Sequence, residues 1–382
     1  MENSPLNTRS REIVQGTVLD ERYQIRGVIG YGGFSTVYEA VHVQIERVVA
    51  IKVLDSGLEV ESSKTAIQRF LLEARAAARI DHPNVVAVHD VGITPTGHPY
   101  IVMQRFEGET LRQYLLHHGG IEAYRILPLF IRCLDGLAAA HQAGIVHRDL
   151  KPQNLVMTDP GSITEALKII DFGTVQLLDD HAQLTAAGHL IGTMAYLSPE
   201  YVLRKEVSAA MDVYQMGLVL VEALWGRRVV RGDTPLDYAR VHIDGELDIP
   251  EALLDCPLGH VLGRALSINP EGRYADAAGF ARALMEIDPG QIPDIAEAGL
   301  ATEAGTSTTS AELVVTTART LALATGDIQL VEDLPDATVL TPMHKLARSS
   351  RASKPQQAQP ADRGTDRGRM LLYSIAGGVI AL

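Results

Sequence analysis

His147-Arg148-Asp149-Leu150-Lys151-Pro152-Gln153-Asn154 is the stretch on which the reading of this chain turns. It follows a long apolar helix-like run, Ile126–His141, and an apolar Gly144-Ile145-Val146. Downstream, Asp171-Phe172-Gly173 directly follows Leu167–Ile170, apolar but for Lys168. Two acids and an asparagine at the ends of apolar segments make a site for metal binding and proton transfer. Hard oxygen ligands suit Mg²⁺, which takes one or two carboxylates plus substrate phosphates.

Working outward toward the N-terminus, Gly30-Tyr31-Gly32-Gly33-Phe34-Ser35-Thr36-Val37 places glycines between two strand-like runs. Glycine lets backbone N–H groups approach phosphates without a Cβ in the way. Alone, the run also suits a plain tight hairpin. Fifteen residues after Val37, Val49-Ala50-Ile51-Lys52 closes an apolar strand with a lysine. Such a lysine ordinarily snorkels to solvent, but after a glycine-rich hairpin it sits on the next strand, within reach of phosphates. Each signal alone has a bland explanation; their joint order and spacing do not.

With these four motifs the chain resembles a protein kinase of the serine/threonine type, and specifically the bacterial Hanks-type kinases, over about Tyr23 to Ile287. The resemblance implies an α+β, two-lobed fold: a small antiparallel sheet lobe with one main helix, and a larger, mostly helical lobe. It implies an ATP:protein phosphotransferase acting on Ser/Thr hydroxyls, with ATP and Mg²⁺ (or Mn²⁺) as cofactors. Gly30, Gly32 and Gly33 would cover the phosphates, and Lys52 would hold the α/β pair. Glu73, 21 residues past Lys52, sits where the helix glutamate pairs that lysine. Asp149 would orient the substrate hydroxyl and take its proton, Lys151 would touch the γ-phosphate, and Asn154 and Asp171 would hold the cations. The adenine walls would be Ile29, Val37, Ala50, Met103, Phe106 and Val156, with Gln104-Arg105-Phe106 as the hinge. Thr185 matches an autophosphorylation position whose phosphate Arg148 would meet. Thr193 would bridge Asp149 and Lys151, Arg273 would pair Glu200, and Asp212 would anchor the catalytic-loop backbone. Departures from the family pattern are Ser35 for the third glycine, Ser198 for alanine before Pro199-Glu200, Gln104-Arg105 in the hinge and Val229-Val230 for Pro-Phe. None touches a metal ligand or the base.

The local patterns agree with that architecture. Short Val/Ile-rich runs predict strands at Ile25–Val28, Val48–Val53, Val85–Val91 and Tyr100–Met103. Apolar periodicity predicts helices at Gln68–Arg79, Ile126–His141, Met211–Trp225 and Ala275–Ile287. Strands first and helices later is the α+β order. The expected division is an arm at 1–15, a kinase domain at 16–288 (small lobe to 106, large lobe from 107), a linker at 289–369 and an apolar segment at 370–382.

The 382 residues carry 34 Lys and Arg against 47 Asp and Glu, a formal net charge of −13. That balance argues against generic nucleic-acid binding, which needs clustered bases. Two distant cysteines, Cys133 and Cys256, exclude a disulfide framework and a multi-thiolate zinc site. Residues 286–344 hold ten acids and one base; residues 345–369 hold seven bases and two acids; residues 370–382 hold no charged side chain. The last segment reads as the first part of a membrane helix, or as an apolar end. Bases just before it would keep the kinase domain on the cytoplasmic side of the inner membrane. Thr338, flanked by acids, is a candidate docking phosphosite for a phosphothreonine-binding domain. A homodimer through the small lobe is a further partner expected by resemblance, beside protein substrates. Two other readings stay open: a pseudokinase scaffold that binds nucleotide without transfer, and a small-molecule phosphotransferase.

Overall fold

A computed structural model describes residues 13–31, 35–54, 67, 70–72, 74–172 and 193–296. Gly32, Gly33, Glu73, Gly173, Thr185, Thr338 and the segment 370–382 lie outside the described residues.

The first part of the chain builds a six-stranded antiparallel sheet from β1 (Val18–Leu19), β2 (Tyr23–Tyr31), β3 (Ser35–His42), β4 (Arg47–Leu54), β5 (Val88–Ile93) and β6 (Pro99–Gln104). Its strand order is β1-β2-β3-β4-β6-β5. Register sorts the side chains onto two faces, because residues directly opposite one another project to the same side and alternate along each strand. Tyr38, Ile51 and Val102 lie opposite one another. With Tyr23, Ile25, Val49, Val53 and Tyr100 they form the small lobe's own core. Ile13 packs against that cluster, and its N–H donates to the Tyr38 hydroxyl at 3.2 Å.

The other face carries the pairs Val37↔Lys52 and Ala50↔Met103. It turns toward the rest of the chain. The expected strand Val85–Val91 begins three residues late, at Val88. Val85 instead forms a parallel bridge to Ile169, and the Val86 N–H donates to the Ile169 carbonyl at 2.9 Å. Val85 and Val86 therefore stitch the two lobes together instead of extending the sheet.

The large lobe contains a three-stranded sheet, β7 (Gly108–Thr110), β8 (Leu155–Thr158) and β9 (Ala166–Ile169), ordered β7-β8-β9. Its described helices are α1 (Leu111–His118), α2 (Ala123–Gln142), α3 (Pro199–Arg204), α4 (Ala209–Trp225), α5 (Pro235–Asp244), α6 (Glu251–Leu254), α7 (Pro257–Ala265) and α8 (Ala277–Met285). Helix α4 is buried from Ala210 to Leu224. A helix that is apolar around its circumference belongs at the centre of a lobe, and the large-lobe core is built around it. Gly226 ends it in the left-handed region (φ 87°), with its N–H donating to the Glu222 carbonyl at 2.7 Å, a conformation glycine adopts without Cβ strain. After α8 the chain stays in contact with this core through Ile292 and Ile295.

Candidate functional site

Helix α4 also organises the His147–Asn154 segment. Its few polar residues, Asp212, Gln215 and Glu222, are spaced by three and seven, so they form one stripe on a helix of 3.6 residues per turn. Asp212 is fully buried and accepts from the backbone N–H groups of His147 and Arg148, both at 2.8 Å. One turn on, Gln215 accepts from the Leu150 N–H at 3.0 Å and donates to the Arg148 carbonyl at 2.9 Å. Together they hold Arg148 in the left-handed region (φ 71°), which is uncommon for a bulky residue and persists only where surrounding contacts enforce it. His141 completes the anchor. Its Nδ1 accepts from the Ala277 N–H at 3.3 Å, so its Nε2–H donates to Asp212 at 2.9 Å.

That clamp presents Asp149 beside its partners. Asn154 Nδ2 donates to the Asp149 carbonyl at 2.7 Å and to Asp149 Oδ2 at 3.0 Å. Lys151 Nζ lies 2.8 Å from Asp149 Oδ2 and 2.9 Å from Thr193 Oγ1. Lys151, not Thr193, is the member in the middle of this trio. His147 Nδ1 accepts from the Asp149 N–H at 3.3 Å, and its Nε2–H donates to the Ile170 carbonyl at 2.9 Å. The same imidazole packs on buried Phe172 with ring centroids 4.7 Å apart. His147 thus couples the Asp149 segment to the Asp171 segment.

Asp171 adopts φ 64°. Its carboxylate meets Lys52 Nζ at 2.8 Å, a contact between the sheet lobe and the helical lobe. Burial pushes this carboxyl up, but the Lys52 ammonium, with His147 and Lys151 behind it, outweighs burial and holds it below the usual carboxylate range. Lys52 is itself buried, at 6% exposure. Its sheet face also carries Val37, Ala50 and Met103, while Val156 comes from β8 opposite Thr110. Ile29 is exposed, in an irregular stretch of β2 between Val28 and Gly30. Gln104 ends β6, and its N–H donates to the Ala87 carbonyl at 2.9 Å. Phe106 is half-buried two residues on.

At the far end of the site, Arg273 makes a bidentate contact to Glu200, 2.9 Å and 2.8 Å, both side chains buried. Its other donors reach the carbonyls of Ser267, Ala210 and Ile268 at 2.7, 3.0 and 3.1 Å. Gln215, His141 and Glu222 were not singled out from sequence, although polar residues inside an otherwise apolar helix-like run were a readable signal for two of them. Glu222 accepts from the Tyr196 hydroxyl and from Arg112 at 3.2 Å. Burial raises its carboxyl, and these two partners partly offset that.

His242 on α5 is a further residue outside the sequence reading. Its Nε2–H donates to the Met194 carbonyl at 2.9 Å, and its Nδ1 accepts from the Tyr214 hydroxyl at 2.9 Å. Burial pushes it down to about 4, so it holds the segment after Thr193 as a neutral ring. Because the unfolded chain binds the proton more readily, folding loses stability as pH falls from about 6.5 to about 4. The stability gap between wild type and His242→Gln is expected to shrink across that window in urea titrations. A gap that stays constant would exclude this linkage.

The profile of a family described as "Protein kinase domain" matches residues 23–290. Serine/threonine-protein kinase PknL of Mycobacterium tuberculosis is 37% identical over 281 residues, covering 73% of this chain and 68% of the relative. Serine/threonine-protein kinase PknB of Mycobacterium leprae is 36% identical over 283 residues, covering 72% of this chain and 44% of the relative. Among solved structures, the Mycobacterium tuberculosis PknI kinase domain superposes with a TM-score of 0.56 at 25% identity, covering 72% of this chain and 98% of that one.

Proposed function

This chain belongs to the protein kinase family and is a serine/threonine protein kinase of the bacterial type, and from that premise we propose how its residues carry the transfer. Asp149 orients the substrate Ser/Thr hydroxyl and accepts its proton. The hydroxyl oxygen bonds to the γ-phosphorus as the bond to the β-phosphate oxygen breaks, leaving phosphoprotein and ADP. Lys151 stabilises charge gathering on the γ-phosphoryl oxygens, and Lys52 fixes the α/β-phosphates. In such a site the protein contributes positioning and charge stabilisation.

The donor set fits a hard divalent cation, and we read it as Mg²⁺. Asn154 commits its amide nitrogen to Asp149, which leaves Oδ1 as its ligand atom. Asp171 supplies the carboxylate. A divalent cation held by these two residues would supply charge neutralisation to the nucleotide phosphates. The adenine would lie against Val37, Ala50, Met103 and Val156, with the Gln104–Phe106 backbone as its polar edge.

The observation that carries this reading is the 2.8 Å contact of Lys52 with Asp171. It brings a strand lysine and a large-lobe carboxylate, 119 positions apart in sequence, to one point beside Asp149. Arg148 Nε is buried without a hydrogen-bond partner among the described residues. That fits a guanidinium awaiting the phosphate of Thr185. The basic stretch before residues 370–382 supports anchoring at a membrane, and acid-flanked Thr338 supports a phosphothreonine-binding partner; pairing through the small lobe rests on the family likeness alone.

Intact-mass analysis of the 382-residue protein after incubation with Mg²⁺ and ATP tests the reading. Gains of one or more phosphates are expected in wild type and none in Asp149→Ala, with Thr185 among the mapped sites. Equal mass in both, with nucleotide bound, would return the scaffold reading.

A further inference from the structure

Helix α1 ends in His117-His118, and Glu109 stands just before its N-cap, Thr110. One carboxylate oxygen of Glu109 and one ring nitrogen of each histidine lie within 4.8 Å of one another. The cluster plays no part in the phosphotransfer described above. We propose that Glu109, His117 and His118 form a binding site for a borderline transition-metal cation of the Zn²⁺ class.

Three features carry the assignment. The first is donor chemistry. Two imidazoles and one carboxylate, with a fourth position open to water, is a recurrent Zn²⁺ ligand set, whereas Mg²⁺ takes an all-oxygen one. The second is spacing. His117 Nδ1 lies 3.2 Å from Glu109 Oε2. A tetrahedron with Zn–N and Zn–O bonds near 2.0–2.1 Å has ligands about 3.3 Å apart, so this pair stands at the edge length a tetrahedral ion requires. The third is preorganisation. The His118 ring stacks on Tyr114, centroids 4.3 Å apart and planes 23° apart. Its Nδ1–H donates to the Tyr114 carbonyl at 3.1 Å. That bond fixes the tautomer and leaves Nε2 as the lone-pair nitrogen, the arrangement metal-ligating histidines use.

Accessibility agrees, since both histidines are exposed and Glu109 is half-buried. The competing account is electrostatic only: histidines in the last turn of a helix interact favourably with its C-terminal partial charge, and Glu109 adds an ion pair. That account predicts no affinity for a metal.

The test titrates Zn²⁺ alone into chelator-treated full-length protein, without nucleotide, by isothermal calorimetry, for wild type, Glu109→Gln, His117→Gln and His118→Gln. One equivalent is expected to bind wild type. Each variant should lose affinity by about tenfold or more, at least what loss of an outer hydrogen-bond partner costs a metal site. Mg²⁺ should not displace it. Zn²⁺ should raise the melting temperature of wild type and not of the variants, because binding only the folded state stabilises it. Equal stoichiometry and affinity in all four proteins, or no binding to wild type, would overturn the assignment. If a variant fails to fold, Co²⁺ added to wild type decides: visible bands of four-coordinate intensity support the site, and a spectrum like that of the hydrated ion removes it.

Discussion

Asp149→Asn is expected to lower kcat for phosphotransfer by about 10²–10⁴-fold while leaving ATP affinity within about twofold, the range a positioned general base contributes. The substitution keeps the shape of the side chain. It removes the carboxylate that the structure surrounds with Lys151 at 2.8 Å and Asn154 at 3.0 Å. The substitution weakens the contact with Lys151, but the loop itself is held through backbone groups by Asp212 and Gln215. The variant should therefore melt with wild type. Single-turnover quench-flow with a peptide substrate, beside fluorescence titration of ATP, separates the two quantities. Transfer retained above about a tenth of wild type would remove Asp149 from the role of base. An equal fall in ATP affinity would make it a binding residue.

Arg273→Ala should strongly destabilise the large lobe. Glu200 is 2% exposed and Arg273 is 2% exposed. Removing the guanidinium leaves a buried carboxylate without a counter-charge and strips partners from the carbonyls of Ser267, Ala210 and Ile268. Breaking one side of a buried pair costs about 3–5 kcal/mol. In a domain of this size that lowers the melting temperature by roughly 10 °C. Glu200→Leu/Arg273→Met, which removes both charges together, should recover much of the loss, since an apolar pair of similar volume is often neutral. Differential scanning calorimetry of the three proteins decides. If the double variant is as unstable as Arg273→Ala, the cost lies in the arginine's contacts to backbone carbonyls and not in the isolated charge. If Arg273→Ala melts with wild type, the pair contributes nothing net. The exposed pair Arg204–Glu206 is the control: both of its side chains are more than half exposed, and Arg204→Ala should leave the melting temperature in place.

The residues proposed to perform transfer were readable because their chemistry fixes their types and their backbone frame fixes their spacing. Asp149, Lys151 and Asn154 lie within one turn-like stretch, so local sequence already places them together. Asp171 follows Leu167–Ile170, apolar but for Lys168, and that pattern was equally plain. Four of the six small-lobe strands were legible from Val/Ile runs, β1 and β3 were given no range, and one start was early: Val85–Val86 is apolar enough for a strand but is taken by the contact with Ile169. Propensity cannot see which neighbour wins.

Helix α4 shows the limit most clearly. Its apolar length marked it as a buried helix, and Asp212 was expected to anchor the loop by resemblance. Gln215 and Glu222 carry no motif of their own, although their spacing from Asp212 sets all three on one stripe. Periodicity names a face; it does not say what stands opposite. Only the folded chain shows that Arg148 and Leu150 face Gln215, that Tyr196 and Arg112 face Glu222, and that Met194 hangs from His242.

Sequence by itself therefore determined the lobed architecture and the reaction class, and it named the groups proposed to react, because those depend on local pattern and on side-chain chemistry. Tertiary structure alone decided the pairings: Lys52 with Asp171, Lys151 between Asp149 and Thr193, and Glu109 beside two histidines eight and nine positions on. A hydrogen bond or an ion pair acts over about 3 Å, and which distant side chains come that close is set by packing of the whole lobe, information that no local stretch contains.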